Sequence, residues 1–299
     1  MDGNNKTYAL LLTAVLIWGI QPIFIKFLVH DWSPVMITCG RFFLFSIIVF
    51  AVLYLRHDPG LIPPQECWLP FIFMGFSLFI NNVAQFTGLQ YSTVINCTLI
   101  AATTPVVTAL MAAVFLRERL NVFAWLGIVI SFAGVITIIS HGSLNIILGL
   151  DFAYGDILFF ISQFSWTIYS LLGVRVMKHI SVMAVTAWSG LSASVLTLCY
   201  GLLTHQVSVP VFAPVSLASF LYTVVFGGVL AQIFWNGGVK NAGPSLTSIF
   251  TNIMPLVGMI GGVAFLGEMI SMVEIGGALA IFAGVYLMTH SESLGQARC

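Results

Sequence analysis

Ten long apolar segments constrain the fold of this chain more than any other feature of its sequence. A helix needs about 17–25 mostly apolar residues to cross the hydrocarbon core of a bilayer. Since lipid offers the backbone no water, each segment must satisfy its own hydrogen bonds as a helix. We therefore predict an all-α polytopic membrane protein with ten transmembrane helices, at residues 7–29, 33–55, 68–90, 94–116, 122–139, 155–176, 182–203, 215–237, 244–266 and 272–288.

The composition agrees with a chain that is solvated mainly by lipid. Of its 299 residues, 59% are hydrophobic and 7% are charged, whereas a soluble domain carries about 25% charged residues. The formal net charge is +0, which offers no basic surface for nucleic acid, and we expect none as a partner. The lipid bilayer is the expected partner of the outer surface.

The basic residues predict the orientation of the chain in the membrane. Eight of the ten lie before the first segment, in or at the edge of even-numbered links, or after the last segment, and odd-numbered links have none. Such a bias places the basic side in the cytoplasm. We expect both termini to be cytoplasmic, in a plasma membrane of the bacterial inner-membrane type. The eight residues are Lys6, Arg56, Arg117, Arg119, Arg175, Lys178, Lys240 and Arg298.

A match between the two halves of the chain indicates an internal duplication. At an offset of 150 residues, positions 94–140 show ten identities in 47 aligned positions without a gap. A fixed offset for prolines, a carboxylate and glycines is more specific than chance similarity between two apolar helices. The pairs include Pro105 and Pro255, Glu118 and Glu268, Gly127 and Gly277, and Gly134 and Gly284.

Five helices per repeat is an odd number, so the second copy must enter the membrane from the opposite side. We expect two inverted five-helix repeats, at 1–145 and 146–299, with the boundary in the long link between the fifth and sixth segments. Inverted repeats are typical of carriers that bind a solute near the midplane and open to either side in turn.

Polar and aromatic residues at equivalent mid-membrane positions predict a central cavity. The first two segments of each half align at an offset of 148, and later ones at 150. Amides inside a bilayer must face protein or an aqueous cavity. We predict a substrate site formed by Trp18, Gln21, Asn81, Asn82, Gln85, Trp166, Tyr169, Gln232, Trp235, Asn236 and Asn252. The alternative is that the amides join helices to one another and the tryptophans only pack.

Four further residues are candidates for a gate or hinge. Pro105 and Pro255 can each kink a helix and free a carbonyl, which nearby threonine hydroxyls could satisfy; a static kink is the alternative. Arg41 lies about 12 Å beyond Ser33, near the midplane, where a charge costs roughly 2.5–3.5 kcal/mol. It could pair with a substrate carboxylate, but we favour backbone carbonyls at a broken helix. Lys26 lies near a segment end, and we predict that it acts as an anchor or a gate.

Acidic residues and histidines lie mainly at segment ends. We expect Asp156 to act as a charge at a helix N-terminus, and Glu118 and Glu268 to pair with backbone donors or basic groups. All six histidines lie in links or at segment ends, so we expect no metal or haem site and no cofactor. The sequence has no Walker A motif. These features argue against an enzyme.

Short motifs in a fixed order resemble the drug/metabolite transporter superfamily, in its ten-span branch with two EamA-type halves. The first half carries Leu16-Ile17-Trp18-Gly19, Ser33-Pro34, Arg41, Thr104-Pro105 and the run 115–119; the second carries Gly155-Asp156, Ser165-Trp166, Pro255, the run 265–268, Gly277 and Gly284. The resemblance covers nearly the whole chain and implies a plasma-membrane carrier, usually an exporter of amino acids or other small metabolites. It also implies a structural arginine at a position like Arg41. This chain departs from the commoner pattern at Met269, where a basic residue often follows the glutamate.

These features together favour a secondary transporter that exports small organic metabolites, such as amino acids, by alternating access. Its partner would be a small-molecule substrate, and we expect a monomer or a weak dimer. The alternatives are a membrane-embedded lipid-modifying enzyme, which needs a reactive constellation that the histidine positions do not provide, and a channel.

Overall fold

Ten long helices make up the part of the chain that the structure describes. The computed structural model describes residues 2–115, 121–149, 152–207 and 212–290. In chain order the helices are α1 (Asp2–Asp31), α2 (Pro34–Leu55), α3 (Trp68–Tyr91), α4 (Val94–Phe115), α5 (Val122–Ile139), α6 (Tyr154–Val176), α7 (Val182–Leu203), α8 (Pro214–Ala242), α9 (Pro244–Leu266) and α10 (Met272–Thr289). A short helix, Leu144–Gly149, lies between α5 and α6.

The prediction of an all-helical, multi-pass membrane protein is confirmed. Within the described ranges, nine helices are long and apolar enough to cross a membrane, and the apolar stretch Met272–Met288 of α10 is slightly shorter. No strand occurs in the same ranges. Glu118, Arg117, Arg119 and Arg298 lie outside the described residues.

Local sequence explains where α2 and α7 begin. Ser33 and Ser181 precede them in extended conformation, and their hydroxyls accept from the backbone N–H of Met36 at 3.2 Å and of Ala184 at 3.1 Å. These bonds satisfy N–H groups that have no partner within the helix. The two serines are 148 residues apart, so the repeats share the device that starts their second helix.

Two helix ends extend five residues beyond the prediction, for separate reasons. Helix α1 begins at Asp2 rather than at residue 7, because polar residues can continue a helix beyond the lipid core. Helix α8 ends at Ala242 rather than at residue 237. The extension, residues 238–242, packs on the start of α1, where the Asn241 amide donates to Thr7 Oγ1 at 3.4 Å.

Helices α4 and α9 are interrupted at equivalent places. In α4 two turn residues, 102 and 103, precede the helical stretch Thr104–Phe115, and Pro105 lies in its first turn. In α9 the 3₁₀ turn Phe250–Ile253 precedes the stretch Met254–Leu266, which has Pro255 in its first turn. Proline is favoured there because the missing N–H would have no helical partner. The α-helix is therefore interrupted just before the proline in both repeats, and a hinge there stays a prediction.

Contacts between α5 and α10 show that the repeats are inverted. A Cβ on Gly127 would lie 2.5 Å from the carbonyl oxygen of Gly284, and one on Gly134 would lie 2.7 Å from that of Gly277. Higher residue numbers on α5 thus meet lower numbers on α10, so the helices are antiparallel. Gly277 is the repeat counterpart of Gly127, and Gly284 is the counterpart of Gly134. The two contacts are therefore equivalent, as a two-fold axis in the membrane plane requires.

Other contacts between the two repeats also occur in equivalent pairs. Helix α2 packs on α7, and the pair α1–α8 is matched by the pair α3–α6. A Cβ on Gly238 would collide with the Leu11 side chain, and one on Gly88 would collide with that of Phe159. Since Gly238 and Phe159 are the repeat counterparts of Gly88 and Leu11, a single contact occurs twice. The core of the molecule lies between the two repeats.

Candidate functional site

Two tryptophans meet where the repeats meet. The ring centroids of Trp18 on α1 and Trp166 on α6 are 5.1 Å apart, with the rings nearly perpendicular. The Trp235 ring lies 5.4 Å from the first and 5.5 Å from the second. Because Trp18 and Trp166 occupy equivalent positions in the two repeats, the pseudo-two-fold axis passes close to their contact. Both rings pack against the hydrophobic core of the molecule.

A small cavity of about 60 Å³ opens beside these rings. Seven of the eleven residues predicted to bind substrate line it, together with Arg41: Trp18, Gln21, Asn81, Asn82, Gln85, Trp166 and Gln232. Six other residues complete the lining: Pro22, Ala101, Thr104, Gln163, Thr251 and Met254. The structure thus brings the aromatic and amide side chains of both repeats to one place, and their role in binding stays a prediction.

Two of the lining amides also join helices. The Asn81 amide donates to the carbonyl oxygen of Ser162 at 2.9 Å, which ties α3 to α6. Asn82 Oδ1 accepts from Arg41 Nη1, which ties α3 to α2. The Asn82 amide donates within α3 to Asn81 Oδ1 at 3.0 Å and to the carbonyl oxygen of Leu78 at 3.1 Å. Asn81 and Asn82 therefore do both things: they line the cavity, and they form hydrogen bonds between helices.

Two other lining amides keep unused hydrogen-bonding capacity. Gln21 and Gln232 are 5% and 2% exposed. Gln21 Oε1 and Gln232 Nε2 have no hydrogen-bond partner among the residues that the structure describes. A buried polar atom without a partner costs about 1–3 kcal/mol. An acceptor and a donor in one cavity can therefore both be satisfied by a polar solute or by water.

Arg41 is held by backbone carbonyls of α8. Its Nε donates to the carbonyl oxygen of Thr223 and its Nη2 to that of Gly227, both at 3.1 Å, and Nη1 donates to Asn82 Oδ1. Residues Thr223–Leu230 form a π-helical stretch, in which wider turns change the backbone pairing. The sequence left two possible partners for Arg41, a substrate carboxylate and backbone carbonyls at a broken helix. The structure shows the backbone carbonyls in contact with it.

Three of the four predicted residues that do not line the cavity, Tyr169, Trp235 and Asn236, lie together beyond one end of it. Helices α6 and α8 run antiparallel to α1, so residues that follow Trp166 and Gln232 lie toward the start of α1. There Tyr169 stacks on Trp166 at 5.3 Å. The Asn236 amide donates to Tyr169 Oη at 2.8 Å and to Thr186 Oγ1 at 2.9 Å, and Trp235 Nε1 donates to Ser170 Oγ at 3.3 Å. We call Tyr169, Thr186, Trp235 and Asn236 the aromatic closure.

The remaining candidates lie near the cavity but outside its lining. Asn252 lies in the 3₁₀ turn of α9, and its Oδ1 is buried without a described partner. Pro105 and Pro255 follow the lining residues Thr104 and Met254 directly. The carbonyl of Ala101, which Pro105 cannot pair, accepts from Thr104 Oγ1 at 2.6 Å. This confirms that a threonine hydroxyl satisfies the freed carbonyl.

Charged residues join helix ends beyond the cavity. Lys26 lies one turn after Pro22 and donates to the carbonyl oxygens of Leu89 at 2.6 Å and Ser92 at 2.7 Å, so it anchors α1 to the end of α3. Glu268 accepts from the backbone N–H of Val94 at 2.8 Å and of Ile95 at 3.0 Å. Its expected pairing with backbone donors is confirmed, and the carboxylate lies where the α4 dipole favours negative charge.

The buried carboxylate of Asp156 lies where the sequence predicts. It is in the first turn of α6 and accepts from the Ser92 hydroxyl and, at 3.0 Å, from the Asn96 amide. These donors and the helix N-terminus together stabilise a negative charge.

Three polar lining residues, Thr104, Gln163 and Thr251, were missed by the sequence reasoning. For Gln163 a signal existed, because it lies three residues before Trp166 and three-residue spacing places two side chains on one helix face. The threonines offered a weaker signal, since hydroxyls are common inside membrane helices as donors to backbone carbonyls.

Comparisons with known proteins place the chain in a family. The model of the EamA-like transporter family matches it twice, at residues 5–140 and 153–290. The uncharacterized transporter YyaM of Bacillus subtilis (strain 168) is 28% identical, over 93% of this chain and 92% of its own length. The uncharacterized inner membrane transporter YedA of Escherichia coli (strain K12) is 26% identical, over 97% and 93%.

A solved crystal structure shares the fold. Its TM-score is 0.70 with 19% sequence identity, and the match covers 95% of this chain and 97% of that one. The family matches fall on the two repeats that the glycine contacts relate, and they leave the link between α5 and α6 unmatched. The chain belongs to the EamA-like transporter family.

Proposed function

We propose that the protein exports small organic metabolites, such as amino acids, across the plasma membrane by alternating access, with both termini in the cytoplasm. The observation that carries the proposal is the contact between Trp18 and Trp166 on the wall of the central cavity. A site on the axis that relates two inverted repeats can open to either side when the repeats exchange conformations.

The chemistry of the wall favours an organic solute over a bare ion. The indole rings of Trp18 and Trp166 supply flat apolar surface, and Gln21 and Gln232 supply an acceptor and a donor without described partners. Sites for small organic molecules usually combine apolar walls with a few such polar groups. The closure by aromatic rings at one end supports a path that opens in alternation.

Exchange by reconstituted protein tests this proposal. A candidate solute is first found by comparing the metabolites released by cells with and without the protein, and its counterflow is then measured in vesicles. Trp18→Ala and Trp166→Ala should each reduce exchange about two- to tenfold, because an aromatic contact contributes about 0.5–1.5 kcal/mol beyond its buried area. Trp125→Ala is the control, since Trp125 is exposed on α5. Equal exchange by all three variants would remove the cavity assignment.

The same vesicles separate the carrier from the alternatives. Saturable exchange that is stimulated by solute on the far side excludes a channel. A lipid-modifying enzyme would instead convert lipid in a turnover assay with purified protein. All six histidines lie in links or at helix ends and none lines the cavity, so the carrier remains the function that we propose.

A further inference from the structure

A second chamber lies on the other side of the aromatic closure. Its wall comes from three parts of the chain: the link between α2 and α3, the turn from α6 to α7, and the end of α8. The lining residues are Asp58, Pro59, Gly60, Ile62, Pro64, Met177, Lys178, His179, Ile180, Ser181 and Lys240. We call this the basic chamber.

The helices that form the aromatic closure continue directly into the basic chamber. Lys240 follows Asn236 by four residues, which is about 6 Å along α8 on the same face. Ser181 caps the start of α7, and Thr186, which accepts from the Asn236 amide, lies early in that helix. The central cavity and the basic chamber therefore lie on opposite sides of one layer of side chains.

Cationic groups dominate the basic chamber. Lys178 and Lys240 are exposed, and neither forms an ion pair with a described residue. Asp58 is the one acidic residue among the described residues that line the chamber, and its Oδ1 accepts from the backbone N–H of Gly60 at 2.8 Å. Two ammonium groups against one carboxylate leave a positive potential in a concave surface, where field lines are concentrated.

The central cavity has a charge of the same sign. Arg41 is the only ionisable side chain among the described residues that line it. Its guanidinium has five N–H donors, and three of them are used by Thr223, Gly227 and Asn82. Two donors remain for a further acceptor. A cationic solute would find no carboxylate in this wall.

We propose that the transported solutes are organic anions, which enter through the basic chamber and are then held beside Arg41. This inference rests on the proposed function and narrows its substrate class to solutes with a carboxylate or phosphate group and net negative charge. The lysines raise the local concentration of anions at the closure, and the arginine and amides bind them beyond it. The order of contacts is Lys178 and Lys240, then the aromatic closure, then the central cavity.

A competing role for the lysines is to orient the protein by binding anionic lipid on the cytoplasmic side. That role depends on how many basic residues the inner face carries and not on whether they line the chamber. Lys6 supplies the matched control, since it is an exposed lysine at the start of α1, on the same side of the membrane, and does not line the chamber.

The experiment compares bacterial cells that produce the wild type, the double variant Lys178→Gln/Lys240→Gln, the control Lys6→Gln, or no protein. Untargeted mass spectrometry measures metabolites in medium and cells, and immunoblotting measures the protein in the membrane. We expect the metabolites whose distribution depends on the wild type to carry net negative charge. The double variant should transport them about tenfold more slowly per molecule of protein, and Lys6→Gln should keep the wild-type rate.

Each other result overturns a defined part of the argument. Metabolites that are neutral or cationic would overturn the anion assignment and leave the transport function in place. A double variant that matches Lys6→Gln, or that is only less abundant in the membrane with unchanged transport per molecule, would show that the lysines serve orientation. If no metabolite depends on the protein, the proposed function itself fails, and this inference fails with it.

Discussion

At the scale of single residues, Gly227 is in contact with three side chains of the cavity wall. Its carbonyl oxygen accepts from Trp18 Nε1 at 2.9 Å and from Arg41 Nη2 at 3.1 Å, so one peptide group on α8 fixes side chains of α1 and α2. A Cβ at this position would lie 1.9 Å from Gln21 Oε1. The residue must lack a side chain if the carbonyl and the Gln21 amide are both to reach the cavity wall.

Replacing Gly227 with alanine should therefore impair transport. The new methyl group would displace the Gln21 amide, and we expect the affinity for solute to fall about five- to tenfold, as for the loss of a hydrogen bond of about 1 kcal/mol or slightly more. Gly237→Ala is the control on the same helix, because a Cβ there meets nothing within 4 Å. Counterflow at several solute concentrations gives the measurement. If both variants show the same affinity, the Gln21 amide does not contribute to binding.

At the scale of elements, the packing of α5 on α10 depends on glycines that bring two backbones together. Hydrophobicity does not drive two helices together in lipid, so close van der Waals packing between small residues must do so. A Cβ on Gly284 would lie 2.4 Å from the carbonyl oxygen of Gly127 and 2.5 Å from the backbone nitrogen of Ser131. Backbone atoms cannot move aside as a flexible side chain can.

Gly284→Ala should therefore separate α5 from α10 and lower the free energy of unfolding by about 1–3 kcal/mol, the usual cost of overpacking. Gly276→Ala changes the same helix at a position where a Cβ meets nothing within 4 Å. It should leave stability unchanged or raise it by up to about 1 kcal/mol through better helix propensity. Thermal unfolding of the purified proteins in one detergent measures both. Equal melting temperatures would contradict the close contact between the backbones.

At the scale of the whole molecule, the odd number of helices in each repeat produces the inversion. Antiparallel contacts between α5 and α10 and the paired contacts of α1–α8 and α3–α6 are what an axis in the membrane plane generates. The basic residues set the direction: with eight of ten at the predicted inner side, insertion is expected to leave the inner links in the cytoplasm.

Reporter fusions test this orientation. Alkaline phosphatase fused after Ser143, in the link between α5 and α6, should be exported and active. The same enzyme fused after Lys178 or at the C-terminus should be inactive, and a fluorescent protein there should fold and fluoresce. Active phosphatase at the C-terminus would reverse the expected orientation, and with it the side from which solutes meet the basic chamber.

The sequence by itself determined the helices, their number and their duplication. The sequence contains these features directly. Each apolar segment must form its own backbone hydrogen bonds in lipid, and a carboxylate and a proline that recur at a fixed offset identify the repeat. The contact between Trp18 and Trp166 could be predicted from the duplication, because equivalent positions near a two-fold axis must lie close together.

Only the tertiary structure decided what each polar side chain does. Asn82 and Gln21 look alike in sequence, yet one is bound by Arg41 and the other has an oxygen without a described partner. The π-helical stretch that offers carbonyls to Arg41 lies 182 residues from it along the chain. Which atoms meet depends on how each helix is rotated about its own axis. Packing between distant segments sets that rotation, and local sequence does not encode it.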